Sequence, residues 1–128
     1  MDLGDREGLN QLSEEVIGAA YRVSNTLGCG YLEKVYENAL AVELRNRGRR
    51  IVQQAAMTVL YGGQVVGEYY ADLLVEHSLV VELKAVRSLD SIHEAQCLNY
   101  LRASRLRLCL LMNFARPRVD VRRIVNVF

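Results

Sequence analysis

The sequence predicts an α/β domain, a mixed central β-sheet flanked by helices with two helices leading the chain. Three observations carry this. Apolar side chains from Leu9 to Leu44 recur at three- and four-residue steps, the period of helices that bury one face. Residues 51 to 86 change to β-rich runs broken by turn signals. A helix-opening pattern at Ser91 is then followed by an unbroken apolar run, the texture of a strand buried on both faces. Hairpin strands, a crossover helix and a returning strand combine into a mixed sheet.

The elements follow in order. Residues 1 to 8 are polar and are expected to fray, leaving 9 to 128 as a single domain. Leu9, Leu12, Val16, Ile17, Ala20, Val23 and Leu27 mark the first helix, ended by Gly28 and Gly30. Leu32, Val35, Tyr36, Ala39, Leu40 and Leu44 mark the second, which stops at Gly48. Ile51 to Tyr61 reads as a strand, ambiguous over Gln53 to Ala56, and Gly62-Gly63 is a hairpin turn. Val65 to Val75 and Leu79 to Val86 are strands joined by Glu76-His77-Ser78. Ser91 and Glu94 form a capping box for a helix to about Ala103. Leu106 to Phe114 is the buried strand, and Val119, Val121, Val125 and Val127 suggest a last alternating one.

Composition narrows the function. The chain has 128 residues, of which 51% are apolar and 24% charged, a globular profile. Apolar runs fall short of the roughly 20 residues that span a bilayer, and the acidic start lacks a signal-peptide core, so no membrane role is expected. Cys29, Cys97 and Cys109 cannot all be bridged within one chain, which suits reduced thiols in the cytoplasm. Cys97 and Cys109 read as packing residues, and His77 and His93 as surface or capping groups. The net charge of +1 does not by itself identify a polyanion binder. The charge is polarised, however. Residues 1 to 84 hold 8 basic and 12 acidic side chains, whereas 85 to 128 hold 8 basic, all arginine, and 3 acidic. Arginine suits bidentate phosphate contacts, although a salt-bridged surface would have the same composition.

Two acids interrupt apolar strands: Asp72 in Tyr69-Tyr70-Ala71-Asp72-Leu73-Leu74-Val75, and Glu82 in Val80-Val81-Glu82-Leu83-Lys84. A buried charge is costly unless it is paired, hydrogen-bonded or on a metal. Glu82 and Lys84 share a strand face, and antiparallel pairing through the 76–78 turn can bring Asp72 beside Glu82. A hard cation such as Mg²⁺ relieves two such carboxylates. The lysine can then orient a water or meet developing negative charge, as phosphodiester hydrolysis requires. The alternative is a structural acid–lysine pair on a half-exposed sheet. Glu33, in the first turn of the second helix, and Gln96 and Tyr100, four apart on the third, could approach the same face.

Gly30-x-x-Glu33-x-x-Tyr36 resembles the signature of the GxxExxY proteins, small bacterial and archaeal proteins assigned to the PD-(D/E)XK nuclease superfamily. The resemblance runs from about Leu12 to Val127. It includes Tyr36-Glu37-Asn38-Ala39-Leu40, Ala71-Asp72-Leu73-Leu74-Val75, Val81-Glu82-Leu83-Lys84-Ala85-Val86, the run from His93 to Leu101, and Leu111-Met112-Asn113-Phe114. Cys29 stands where proline is usual, Ala115 where glycine is frequent, and Ala71 replaces the motif's proline.

The resemblance implies a restriction-endonuclease-like core. It implies Asp72 and Glu82 as ligands of Mg²⁺ or Mn²⁺, Glu33 as a third ligand, and Lys84 as the catalytic lysine. Gln96 and Tyr100 resemble the Q-x-x-x-Y element of the exonuclease-like branch, which positions substrate or site. The expected activity is hydrolysis of nucleic acid, DNA foremost, with Arg102, Arg105, Arg122 and Arg123 holding phosphates. A homodimer could supply a second half-site. Tyr61, Tyr69 and Tyr70 read as strand-surface and core residues rather than a stacking platform. The alternative function is a non-catalytic nucleic-acid-binding or protein-interaction module on the same fold.

Overall fold

The computed structural model describes residues 6–127. Its elements are α1 (Arg6–Leu27), α2 (Glu33–Asn46), β1 (Ile51–Tyr61), β2 (Gln64–Val75), β3 (Leu79–Lys84), α3 (Ser91–Ser104), β4 (Leu108–Asn113) and β5 (Asp120–Val125). The five strands form one sheet in chain order. β1–β2, β2–β3 and β4–β5 are antiparallel, and β3–β4, joined across α3, is parallel. This is the mixed α/β sheet with two leading helices that the sequence predicts.

Strand alternation divides the core in two. Leu79, Val81 and Leu83 of β3, with Leu108, Leu110 and Met112 of β4, pack against α1 and α2. Val80 of β3 and Cys109 and Leu111 of β4 face the other way, onto Cys97, Tyr100 and Leu101 of α3. All six β4 residues are buried, as its continuous apolar run predicts. Each fully buried aliphatic side chain contributes roughly 1.5–3 kcal/mol. Cys97 and Cys109 are free thiols inside the α3-side core.

Two local details differ from expectation. Residues 6–8 form the first turn of α1 rather than a frayed end, and Gly8 is buried; residues 1–5 lie outside the described residues. The cap of α3 is Asp90, not Ser91. The Asp90 carboxylate accepts from the Ile92 and His93 amides, and His93 Nδ1 accepts from the Asp90 amide. His93 therefore takes the place expected of Glu94, because the box begins one residue earlier.

The corner between α1 and α2 fixes where Glu33 begins its helix. Gly28 and Gly30 hold φ of +74° and +113° there, values that side chains with a Cβ resist. Tyr36, fully buried, locks the corner: its hydroxyl donates to the Gly28 carbonyl at 2.7 Å and accepts from the Tyr31 amide at 3.2 Å. Its ring stacks on Phe114 with centroids 4.8 Å apart.

The β1–β2 hairpin outruns the sheet. β2 pairs with β1 along its length but with β3 only over Leu73–Val75. Beyond that point the two strands form a projecting arm. At its root both strands change face. Ala71 packs toward α3 and Leu73 toward α1 and α2, although residues two apart on a regular strand share a face. Ala55 and Ile51 of β1 divide in the same way. The switch falls at Asp72 in β2 and at Gln54 in β1, where φ is +54°.

Candidate active site

The β2–β3 ladder ends at the pair Leu73–Val81, and Asp72 and Glu82 stand at the fork where the strands part. Their carboxylates serve the backbone there. Glu82 Oε1 accepts from the Asp72 amide at 2.7 Å, and Asp72 Oδ2 accepts from the Leu83 amide at 2.9 Å. The expected neighbourhood of the two acids is thus present, set by hairpin register.

Both carboxyls resist ionisation. Glu82 is 3% exposed, and burial, reinforced by the adjacent Asp72 charge, pushes it up to about 9. Burial also raises Asp72, with Glu37 adding to the effect; the Leu83 amide, Gln54 and Lys84 oppose it. Lys84 projects on the Glu82 side, and its Nζ reaches Gln96 Oε1 at 3.5 Å. Tyr100 is buried behind them, its phenol held well above its ordinary range by burial and by the charges of Glu82 and Asp72. Asn113 fixes the exit of β3: its amide side chain bonds both the amide and the carbonyl of Val86.

Glu33 lies at the same end of β3, where its Oε2 accepts from the Ala85 amide at 3.3 Å. It is not assembled with the other two acids as a third ligand. Among the described residues, no group of three or more His, Cys, Asp or Glu side chains is placed to hold a metal ion. The Asp72–Glu82 pair nevertheless fits a hard divalent cation, which commonly takes one or two carboxylates and completes its shell with water. A buried Glu82 whose ionisation the half-buried Asp72 opposes is the electrostatic situation such a cation relieves.

Sequence reading missed Glu37 and Gln54. Glu37 is 3% exposed and receives Lys34 Nζ at 3.0 Å, Gln53 Nε2 at 2.7 Å and Gln54 Nε2 at 2.9 Å. The same Gln54 amide donates to Asp72 Oδ1 at 3.1 Å, so it bridges the α2 acid to the β2 acid. The available signal was spacing: Glu37 is four residues past Glu33 and sits between the buried Tyr36 and Leu40.

The four candidate phosphate-binding arginines divide. Arg122 and Arg123 are adjacent on β5 and point to opposite faces. Arg123 bonds Ser13 Oγ at 2.7 Å and Asn10 Oδ1 at 2.8 Å on α1, away from the carboxylates. Arg122 lies on the α3 side and pairs with Glu94 at 3.4 Å. Arg122 and Arg123, both expected to hold phosphates, are thus separated by strand alternation onto opposite faces. Arg102 and Arg105 are exposed at the C-terminal end of α3.

Among curated proteins no match was found. A solved structure described as "Crystal structure of SSO0001" superposes with a TM-score of 0.57 at 20% identity, over 74% of this chain and 50% of the other. The chain thus spans about half the length of that protein, and the likeness concerns the fold. No described helix is long and apolar enough to cross a membrane. The family model for the PD-(D/E)XK nuclease superfamily matches residues 10–124, from the second turn of α1 into β5 and through both acids and Lys84. By that match, the chain belongs to the PD-(D/E)XK nuclease superfamily.

Proposed function

We propose that the protein is a nuclease of the GxxExxY type, dependent on Mg²⁺ or Mn²⁺, hydrolysing nucleic-acid phosphodiesters from a single domain. The observation that carries this is the fork. It puts two desolvated carboxylates side by side, with a lysine on the face of the second. Asp72 and Glu82 would hold the cation, and Glu33 stands at the end of β3 nearest Lys84 in sequence. The cation, when bound, supplies Lewis-acid polarisation of the phosphate and acidifies water.

The rest belongs to the chain's own side chains. Lys84 Nζ, a donor only, orients the attacking water or meets negative charge on the phosphate oxygens. Gln96 holds the Lys84 ammonium by its Oε1. Tyr100, neutral at working pH, packs on the α3 side of the sheet behind the two acids. Gln54 and Glu37 hold Asp72 Oδ1 in place.

The test is a cleavage panel with Mn²⁺ on single-stranded, duplex and branched substrates, run for wild type, Asp72→Asn and Lys84→Met. Wild type should cut. Lys84→Met should keep metal-induced thermal stabilisation and lose cleavage by about a hundred- to a thousandfold. Cleavage at the wild-type rate by either variant would remove that residue from the mechanism. A specific observation favours a second reading, the non-catalytic module: both acids also satisfy backbone amides at the fork. Absence of metal-dependent cleavage across the panel would select it.

A further inference from the structure

We propose that the groove between the C-terminal half of α3 and the β1–β2 arm is a subsite for one unpaired strand of nucleic acid. The proposal rests on the nuclease reading and specifies its substrate: a single strand or an unpaired end in preference to a continuous duplex.

The groove is lined by Thr58, Leu60 and Tyr69 of the arm and by Asn99, Arg102 and Arg105 at the end of α3, around a volume of about 530 Å³. That is the size of a small-molecule site, roughly 300–1,000 Å³. Its two walls, the arm and the end of α3, line one space that a stretch of strand could enter. One side chain links the groove to the carboxylate site. Tyr69 is 43% exposed in the groove and meets Tyr100 edge-on at 5.7 Å, and Tyr100 is the side chain whose phenol feels the Glu82 and Asp72 charges.

Charge supplies the second argument. Most arginines here are already engaged: Arg22 and Arg47 with Glu43, Arg49 with Glu15, Arg122 with Glu94, Arg123 with α1. The side chains of Arg102 and Arg105 have no hydrogen-bond or ion-pair partner among the described residues, and both line this groove, whose lining contains no acid. Two unpaired guanidiniums beside a half-exposed aromatic ring match the pattern of a phosphodiester strand whose bases stack as its phosphates are held. Tyr69, expected to be a surface or core residue, would then be the stacking ring. A purely structural alternative is that Arg102 only offsets the negative end of the α3 dipole.

The experiment measures binding without turnover, in EDTA, by fluorescence anisotropy of a labelled oligothymidine and of a blunt duplex of equal length. The variants are Arg102→Gln with Arg105→Asn, Tyr69→Leu, and Arg102→Lys. Asparagine tolerates the φ of +60° that Arg105 adopts. Wild type should bind the single strand more tightly than the duplex. The arginine pair should lower the salt slope by about 1.4, the single-strand value for two phosphates. Tyr69→Leu should weaken binding by roughly five- to a hundredfold, and Arg102→Lys should restore the salt slope at that position. An unchanged salt slope in the arginine pair, or preference for the duplex, overturns the proposal.

Cleavage assays separate this from failure of the catalytic reading. Strand binding that falls in these variants while wild type cuts nothing keeps the groove and rejects the nuclease. Cleavage with KM unchanged in every variant keeps the nuclease and rejects the groove.

Discussion

Replacing Glu82 with glutamine should change how stability depends on pH. The carboxyl titrates near 9 in the fold, against an ordinary value of 4.5. The folded chain therefore keeps a proton that the unfolded chain releases. This contribution to stability is complete below pH 4.5, declines as pH rises, and is exhausted above about 9. One proton of difference is worth about 1.4 kcal/mol per pH unit. Between pH 5 and pH 8 the ceiling is then about 4 kcal/mol, a large share of the roughly 5–15 kcal/mol that holds a domain together. Glutamine copies the shape of the protonated acid and can still accept from the Asp72 amide, but it does not titrate. Urea unfolding in EDTA at several pH values should show wild type losing stability toward pH 8 relative to Glu82→Gln. Mg²⁺ should restore wild type most where the loss is greatest, because ionised carboxylates bind it. Parallel pH curves for the two proteins would refute the buried, protonated Glu82 and the electrostatic account built on it.

Other outcomes follow from the same geometry. Asp72→Asn should remain folded, since the amide oxygen can accept the Leu83 amide, but should lose the rise in melting temperature that the proposed site predicts for wild type in Mg²⁺ or Mn²⁺. Arg123→Ala should cost about 1 kcal/mol in denaturant titration through its lost bonds to α1, and should leave nucleic-acid affinity unchanged. Tyr36→Phe should cost roughly 1–3 kcal/mol in the same assay, because it strips the Gly28 carbonyl and the Tyr31 amide of their shared partner.

The meeting of Asp72 and Glu82 was legible because a short turn fixes hairpin register, and register fixes which residues oppose each other. β4 was legible because an apolar run of that length has little choice but burial on both faces. The separation of Arg122 from Arg123 was not legible in a count of arginines, because it depends on where β5 lies, and alternation along β5 sends neighbours to opposite faces. Glu37 was hidden by its type: a glutamate on a helix is ordinarily solvated, and its burial depends on donors from β1 that lie 16 and 17 residues away. Gln54 was hidden more deeply. A positive φ usually shows in sequence as glycine or asparagine, and nothing in Gln53-Gln54-Ala55-Ala56 marks the change of face. The ambiguity noted over that stretch is the trace it leaves.

The fork gives its two acids a second employment. A helix end leaves amides that a capping side chain must serve, and a parting pair of strands does the same. Here the residues that close the ladder are the residues that would grip the cation. A descendant that abandoned catalysis would still need something to terminate β2 and β3 at that point. It would keep an acid in both places for reasons unrelated to turnover. The presence of Asp72 and Glu82 is therefore a record of architecture as much as of chemistry. Lys84 is the better witness to activity: the one hydrogen bond its side chain makes among the described residues, to Gln96, is at the limit of reach, and the sheet would close without that ammonium.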